Sequence, residues 1–261
     1  MSYMEKKYKL TDETIEVNGK TLYRIEALKD FSNVKKGDKG GFIEKEKNLS
    51  HLGNAWVYDD AKVLDYARVY DNAKIANNAI ICIAAKIFSN AMVYNNATIK
   101  DAAQIYDHAI IEDNAVVSGF AQIYGYANIS GETNVKDKVK IYGGSIVYNR
   151  ASVHDEAIIY NSKICDNAII CDNVIIKDTR ISGNAIISHD AKILSNKDYI
   201  VFKNWWSSGR YFTWTRSNNM WSVGCFYGTG KELIEKAYKD SELSGNEYKR
   251  IVEYVNSINN K

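Results

Sequence analysis

The sequence predicts a mainly β protein whose central part is a parallel β-helix. From Ala55 onward, 24 consecutive units each place a Val or Ile two residues after a small residue, usually Ala, or after Val at positions 139 and 174. The Val or Ile positions advance by six residues from Val57 to Ile159, and then reach Ile193 with two five-residue steps. A six-residue period cannot keep one face of an α-helix with about 3.6 residues per turn, but it preserves the two-residue alternation of a strand.

The residues between these short strands predict tight turns. Pairs such as Asp-Asp, Asp-Asn and Asn-Asn separate the apolar positions, and Gly takes part in several of them. Asn, Asp and Gly tolerate left-handed backbone angles, and Asn and Asp side chains also hydrogen-bond to nearby backbone. The chain also contains no proline, whereas proline makes up about 5% of residues in an average protein. This absence fits a chain of paired strands, because proline would remove a backbone hydrogen-bond donor. Alternating short strands and turns are typical of a β-helix.

Composition sets few limits on function. The formal net charge is +2, which gives no strong expectation of nucleic acid, membrane or acidic partners. The four cysteines follow no Cys-x-x-Cys spacing, so we expect reduced thiols rather than a disulfide framework. The N-terminus has no apolar run and no stretch is long enough to span a membrane, so we expect a cytoplasmic protein with no membrane partner.

The repeated unit Ala-x-[Ile/Val]-x-[Asp/Asn/Gly]-Asn resembles the hexapeptide repeat of left-handed parallel β-helix proteins. The resemblance covers residues 54–195 and implies a left-handed coil in which three hexads form one triangular turn. The 24 units would then make about eight coils, and a strand spacing of about 4.8 Å gives a prism roughly 38 Å long. Relatives with this fold are usually trimers, so the resemblance also implies that a homo-oligomer, dimer or trimer, is an option.

Residues 1–53 are expected to form an N-terminal β cap. Two alternating runs flank Asn18-Gly19, which is a strong hairpin signal. The segment from Asp30 to Ile43 resembles the N-terminal segment of enterobacterial and phage or prophage hexapeptide proteins, some of which are labelled acyltransferases. A solenoid needs such caps because its terminal coils expose unpaired strand edges.

Residues 196–261 predict a separate C-terminal unit packed on the last coil. Its first half reads as a three-stranded antiparallel meander with turns at 207–209 and 218–219. Two amphipathic helices follow, each introduced by a capping-box signature, Thr229-x-x-Glu232 and Ser244-x-x-Glu247.

An acyltransferase is the obvious enzyme hypothesis for this repeat. In the family that the repeat resembles, a histidine near a loop that leaves the coil acts as general base, between subunits of a trimer. Here no loop interrupts the repeat; His108 and His189 fall at turns and His154 at an outward strand position. No basic cluster for coenzyme A is evident. We therefore expect no catalytic residue and no cofactor, and keep an acyl-coenzyme A-dependent acyltransferase with an intersubunit active site as the alternative.

A metal site is likewise not expected. The γ-class carbonic anhydrases use this fold with three histidines on zinc, and such sites need clustered ligands. The four histidines of this chain are scattered in sequence, and Cys165 and Cys171 fall on successive sides of the coil.

One side of the predicted prism carries an aromatic stripe. Aligning the coils places an aromatic residue directly after the Val or Ile of six successive coils, with Arg, Lys or Gln commonly two residues earlier. By strand alternation these positions face outward. The stripe either only stabilises neighbouring strands, or is a contact face for self-association, a protein partner or, less favoured, nucleic acid. Its members are Tyr70, Phe88, Tyr106, Tyr124, Tyr142 and Tyr160.

A second aromatic cluster lies in the C-terminal unit, where tryptophans alternate with arginines. Packing against the solenoid end is one interpretation; a partner-binding hot spot is the other, because Trp and Arg dominate such sites. Its members are Trp205, Trp206, Arg210, Trp214, Arg216 and Trp221.

Taken together, these features predict a non-enzymatic protein-binding scaffold or inhibitor. The resemblance of residues 30–43 suggests a phage or prophage origin, and hence a host or anti-phage protein as partner. The binding surface would be the aromatic stripe, the Trp-rich unit, or both.

Overall fold

The computed structural model describes residues 5–259. The N-terminal cap contains β1 (Tyr8–Val17), β2 (Lys20–Ala27), β3 (Lys39–Ile43) and a 3-10 turn (Glu46–Asn48). β1 and β2 pair antiparallel around the predicted turn, where Asn18 and Gly19 have φ of 51° and 73°. β3 pairs antiparallel with β2 and continues into the solenoid, so the cap covers the edge of the first coil.

The solenoid contains 24 strands of two or three residues. In chain order they are β4 (Trp56–Val57), β5 (Lys62–Val63), β6 (Arg68–Val69), β7 (Lys74–Ile75), β8 (Ile80–Ile81), β9 (Lys86–Ile87), β10 (Met92–Val93), β11 (Thr98–Ile99), β12 (Gln104–Ile105), β13 (Ile110–Ile111), β14 (Val116–Val117), β15 (Gln122–Ile123), β16 (Asn128–Ile129), β17 (Asn134–Val135), β18 (Lys140–Tyr142), β19 (Ile146–Val147), β20 (Ser152–Val153), β21 (Ile158–Tyr160), β22 (Lys163–Ile164), β23 (Ile169–Ile170), β24 (Ile175–Lys177), β25 (Arg180–Ile181), β26 (Ile186–Ile187) and β27 (Lys192–Ile193).

Every third strand pairs in parallel, which makes three faces of eight strands each. The first face begins with β4 and ends with β25, the second runs from β5 to β26, and the third from β6 to β27. The cap strands β1, β2 and β3 extend the sheet of the second face to eleven strands. The predicted solenoid of eight three-sided coils is therefore confirmed.

The core of the solenoid is a single column of Ala and Val or Ile side chains. Within each unit, both the small residue and the branched residue are fully buried, as Ala103 and Ile105 illustrate. Burying one such branched side chain stabilises the fold by about 1.5–3 kcal/mol. The outward residues contribute little to this core, so the fold leaves their identity free.

The turn residues explain the Asp and Asn of the repeat. Most coil corners contain a residue at positive φ, such as Asp101 at 59° and Asp107 at 56°. Their carboxylates accept the backbone N–H of the residue one coil further on, at 2.9 Å from Gly119 and 3.1 Å from Gly125. Each such bond stabilises the stack by about 0.5–1.5 kcal/mol and offsets the cost of the left-handed backbone.

Both five-residue steps fall at the same corner, between the third and first faces. Hydroxyl residues replace alanine there: the Oγ of Ser145 accepts from Ser162 N at 3.3 Å, and the Oγ of Ser162 accepts from Thr179 N at 3.2 Å. This buried hydroxyl ladder satisfies backbone groups that the shortened turns would otherwise leave without partners.

The C-terminal unit contains four strands rather than the predicted three. They are β28 (Tyr199–Lys203), β29 (Tyr211–Thr215), β30 (Met220–Val223) and β31 (Phe226–Gly228), all antiparallel. The meander prediction missed β31. Gly224, with φ of 59°, reverses the chain after β30, and Val223 then pairs with Phe226.

Two helices follow, α1 (Gly230–Asp240) and α2 (Glu242–Asn259). The predicted capping box of α1 is confirmed, because Thr229 Oγ1 accepts from Glu232 N at 3.3 Å and Glu232 Oε2 accepts from Thr229 N at 2.8 Å. The second predicted box is wrong. α2 begins before Ser244, which is buried inside the helix and donates its N–H to Ser241 Oγ at 3.1 Å. Ser241, three residues before Ser244, therefore caps the N-terminus of α2.

This unit packs on the last coil, as predicted. Ile186 N on β26 donates to Thr213 Oγ1 at 3.0 Å, and Lys192 N on β27 donates to Ser217 Oγ at 2.7 Å. The unit thus satisfies backbone donors at the open edge of the solenoid. Within residues 5–259, no helix is both long and apolar enough to cross a membrane.

Candidate binding face

The aromatic stripe forms a stacked ladder along the third face. Four successive ring pairs have centroids 4.9 Å apart and planes within 8° of parallel. The last pair, Tyr142 and Tyr160, is 5.0 Å apart and tilted by 39°. In the next coil the same position is Lys177, whose Nζ lies 5.7 Å from the centre of the Tyr160 ring. The six residues of the ladder are Tyr70, Phe88, Tyr106, Tyr124, Tyr142 and Tyr160.

The spacing of the ladder follows from the fold. Parallel strands lie about 4.8 Å apart, and each ring leaves the same strand position as its neighbour in the next coil. Each ring is half-buried against its neighbours, so its freedom to rotate is already restricted. Burial raises the pKa of the Tyr106 hydroxyl, with a smaller contribution from Tyr124.

The third face is also cationic. The residues that flank the buried Val or Ile of its eight strands include five cations and no carboxylate. The cations are Arg68, Lys86, Lys140, Lys177 and Lys192. The face therefore combines a rigid aromatic strip with positive charge.

Exposed apolar residues border the third face on both sides. Tyr66 is 78% and Phe120 67% exposed at the corner between the second and third faces. Tyr126 is 72% exposed at the corner between the third and first faces, where its ring stacks 5.0 Å from that of His108. The remaining corner, between the first and second faces, is instead polar and carries asparagine pairs such as Asn96, whose amide Nδ2 donates to Asn114 Oδ1 at 3.2 Å.

A cleft of about 450 Å³ opens at the N-terminal end of the ladder. Tyr70, Arg68 and Lys86 line it from the third face, and His51 and Leu52 line it from the cap. Leu52 projects into solvent, so the apolar surface of the ladder continues onto the cap.

The tryptophan cluster of the C-terminal unit divides into core and surface residues. Trp214 and Trp221 are buried in the core of the unit, where packing accounts for them. Trp206 is half-buried, and its Nε1 has no hydrogen-bond partner among the described residues. Trp205 is 73% exposed. Arg210 and Arg216 are also exposed, so the surface part of the cluster is small.

The structure brings together one polar cluster that the sequence reasoning missed. A ring nitrogen of His154, a carboxylate oxygen of Asp155 and Sγ of Cys171 all lie within 4.8 Å of one another. The sequence analysis relates Cys171 only to Cys165, on a neighbouring side of the coil. The five-residue step shortens the coil here to 17 residues, which places Cys171 directly after His154 on the same face. Aligning the coils with a 17-residue period at this step would have placed Cys171 next to His154.

Burial and the neighbouring carboxylates together set the electrostatics of this cluster. Burial, with Asp172 and Asp155 close by, raises the pKa of the Cys171 thiol to about 12. The backbone N–H of Asp172 holds the pKa of Asp155 below its usual value, with a further contribution from His154. The thiol is thus protonated and the carboxylate charged at neutral pH.

Eight coils of parallel strands around one apolar column define a β-solenoid repeat protein. The family model of the YdcK beta-solenoid repeat matches residues 103–119, a stretch that contains Tyr106 of the ladder. A search of curated proteins finds no match to the chain.

Proposed function

We propose that this protein is a non-enzymatic binding protein whose third face docks an acidic surface of a protein partner. The observation that carries this proposal is the continuous ladder of six outward rings, five of them tyrosines. Tyr and Trp are enriched at protein interfaces because they contribute apolar contact area together with a polar group.

Rigidity favours binding at this face. Association must offset the ordering of mobile interface side chains, about 0.5–1.5 kcal/mol for each one that is flexible when free. Ladder rings that already stack at 4.9 Å lose little further freedom when a partner covers them. The five steps of the ladder span about 24 Å, comparable to one side of a standard protein interface.

Charge favours an acidic partner over a nucleic acid. The cations of the third face supply complementarity and accelerate encounter with a negative protein surface. The chain as a whole carries only +2, which is weak attraction for a polyanion. The exposed Trp205 and Arg210 of the C-terminal unit form a smaller, second contact region in this proposal.

The biological setting we propose is that of a phage- or prophage-borne protein acting on a host or anti-phage component in the cytoplasm. It is supported by the resemblance of residues 30–43 to the N-terminal segment of such proteins. An acyl-coenzyme A-dependent acyltransferase is the competing proposal. A thermal-shift screen with acetyl-coenzyme A separates the two, because a clear stabilisation would contradict a purely binding role.

The binding proposal is tested with a triple variant, Tyr106→Ser, Tyr124→Ser and Tyr142→Ser. Partners captured from an enterobacterial lysate by the unaltered protein are identified, and their affinity for each variant is measured. The matched control is Tyr94→Ser with Tyr148→Ser, which removes tyrosines from the same strand position on the first face.

We expect the triple variant to lose at least about tenfold in affinity, since interface aromatics commonly contribute more than about 1 kcal/mol each. The control should bind as the unaltered protein does. Equal binding by both variants would refute the proposal. A change in oligomeric mass for the triple variant alone would instead assign the face to self-association.

A further inference from the structure

The cluster of His154, Asp155 and Cys171 lies at the corner between the second and third faces, near the C-terminal end of the solenoid. His154 follows β20 and Cys171 follows β23, and these strands pair directly. His154 Nδ1 is 2.8 Å from Asp155 Oδ2, and the three candidate ligand atoms lie within 4.8 Å of one another. All three residues are partly buried.

A second carboxylate, that of Asp172, lies beside this cluster. Asp172 Oδ2 lies 3.8 Å from Cys171 Sγ and accepts from His189 N at 2.8 Å. Asp172 N in turn donates to Asp155 Oδ2 at 3.0 Å. Backbone donors therefore fix both carboxylates beside the imidazole and the thiol, which is how outer hydrogen bonds orient metal ligands.

We propose that His154, Asp155 and Cys171 bind a zinc ion, with a water molecule as the fourth ligand and the Asp172 carboxylate beside the thiol. Imidazole nitrogen, thiolate sulfur and carboxylate oxygen are the zinc ligands of proteins. Bonds of about 2.0–2.3 Å place tetrahedral ligand atoms roughly 3.3–3.8 Å apart, so the His154, Asp155 and Cys171 atoms, which lie within 4.8 Å of one another, need side-chain shifts of only about 1 Å. The cation would also neutralise two neighbouring carboxylates.

The position of this zinc site suggests a structural role. His189, whose backbone binds Asp172, stacks its ring 3.3 Å from that of Tyr227 on the C-terminal sheet. The neighbouring Ser188 Oγ lies 3.1 Å from Ser222 Oγ on β30. Zinc would thus stabilise the last coils where the C-terminal unit attaches.

The full chain, stripped of metal with a chelator, provides the test with Co²⁺ as a spectroscopic substitute for zinc. We expect one Co²⁺ per chain, visible d–d bands of a tetrahedral site and a near-ultraviolet thiolate-to-cobalt band. Zn²⁺ should displace Co²⁺ and raise the melting temperature. Cys171→Ser should abolish the thiolate band, and His154→Gln should weaken Co²⁺ binding by at least about tenfold.

Cys82→Ser is the matched control, because Cys82 follows β8 at the same strand position of the second face and is also partly buried. It should keep the complete cobalt spectrum. Circular dichroism confirms that each variant is folded before it is scored. The absence of a thiolate band in the unaltered protein, or an unchanged band in Cys171→Ser, would overturn the proposal; the latter would assign Co²⁺ to another thiol, such as the exposed Cys225.

Discussion

The third and first faces of the solenoid are built from the same unit, yet they present different surfaces. Inward, both bury alanine and a branched residue completely. Outward, the position after the branched residue is aromatic in six successive coils of the third face. On the first face the same coils carry Tyr58, Ala76, Tyr94, Glu112, Ser130 and Tyr148.

This difference shows which part of the repeat folding requires. The first face forms with Ala76 and Ser130 at the position where the third face has aromatic rings, so the coil does not require a ladder there. Stacked neighbours stabilise a sheet by about 0.2–1 kcal/mol per pair, which is a small return compared with the buried column. Because the coil forms without aromatic rings at this position, the unbroken ladder supports the contact face that we propose.

The largest expected effect is the loss of stability on truncating a core residue, and it should be the same on both faces. Ile123→Ala on the third face and Ile129→Ala on the first each remove a fully buried side chain. Each should lower the free energy of unfolding by about 2–5 kcal/mol, measured by urea denaturation. Since these residues serve the shared core, neither change should alter partner affinity in the folded protein at low temperature. A much larger loss of stability for the third-face variant would mean that the third face contributes more to the stability of the fold than the first.

Removing positive charge should have a smaller effect, on the rate of association, and this effect should differ between the two faces. Replacing Arg68, Lys86 and Lys140 with Gln should slow association with the partner by about tenfold at low salt, because these cations attract the acidic partner surface and so steer encounter. Stopped-flow or surface-binding kinetics over a salt series measures this. Lys74→Gln, Lys163→Gln and Arg180→Gln on the first face remove the same number of charges; this control should leave the association rate unchanged. An equal effect from both sets would assign the rate to net charge alone.

The smallest effect concerns ionisation within the ladder. Burial, and secondarily Tyr124, raise the pKa of Tyr106, whereas burial and Glu112 raise the pKa of Tyr94 on the first face. Because the folded pKa lies above the unfolded value of about 10, the neutral hydroxyl stabilises the fold below that pH, and this contribution is lost as pH rises through the folded pKa.

Tyr124→Phe keeps the ring and removes the neighbouring hydroxyl, so it should lower the pKa of Tyr106 and leave that of Tyr94 unchanged. Ultraviolet difference titration of tyrosinate, with Tyr106→Phe and Tyr94→Phe to assign each signal, measures both. A shift of Tyr94 instead would contradict the ring-to-ring contact as its cause.

The sequence predicts the solenoid well because one period determines both the core and the surface. Because Ile105 faces inward, the next residue, Tyr106, must face outward. The same rule holds in every coil that keeps the six-residue step. Prediction fails where that step changes, and the pairing of His154 with Cys171 was missed across a shortened coil. It also fails where the pattern is local and short, as in the three-residue strand β31 and the start of α2 at Glu242.

The C-terminal tryptophans show a further limit of sequence reasoning. Composition marks Trp205 and Trp214 as equal candidates for a binding surface, but the sheet turns Trp214 into the core and leaves Trp205 in solvent. Residue type alone does not decide this, since the same aromatic area can serve an interior or an interface.

The central claim is that the third face, and not the first, contacts the partner. The most direct measurement replaces Phe88 with a benzophenone amino acid, irradiates the protein with its captured partner, and compares the yield of crosslinked complex with that of the same replacement at Tyr94. We predict a strong adduct from position 88 and only background from position 94. Equal yields, or an adduct from position 94 alone, would contradict the account.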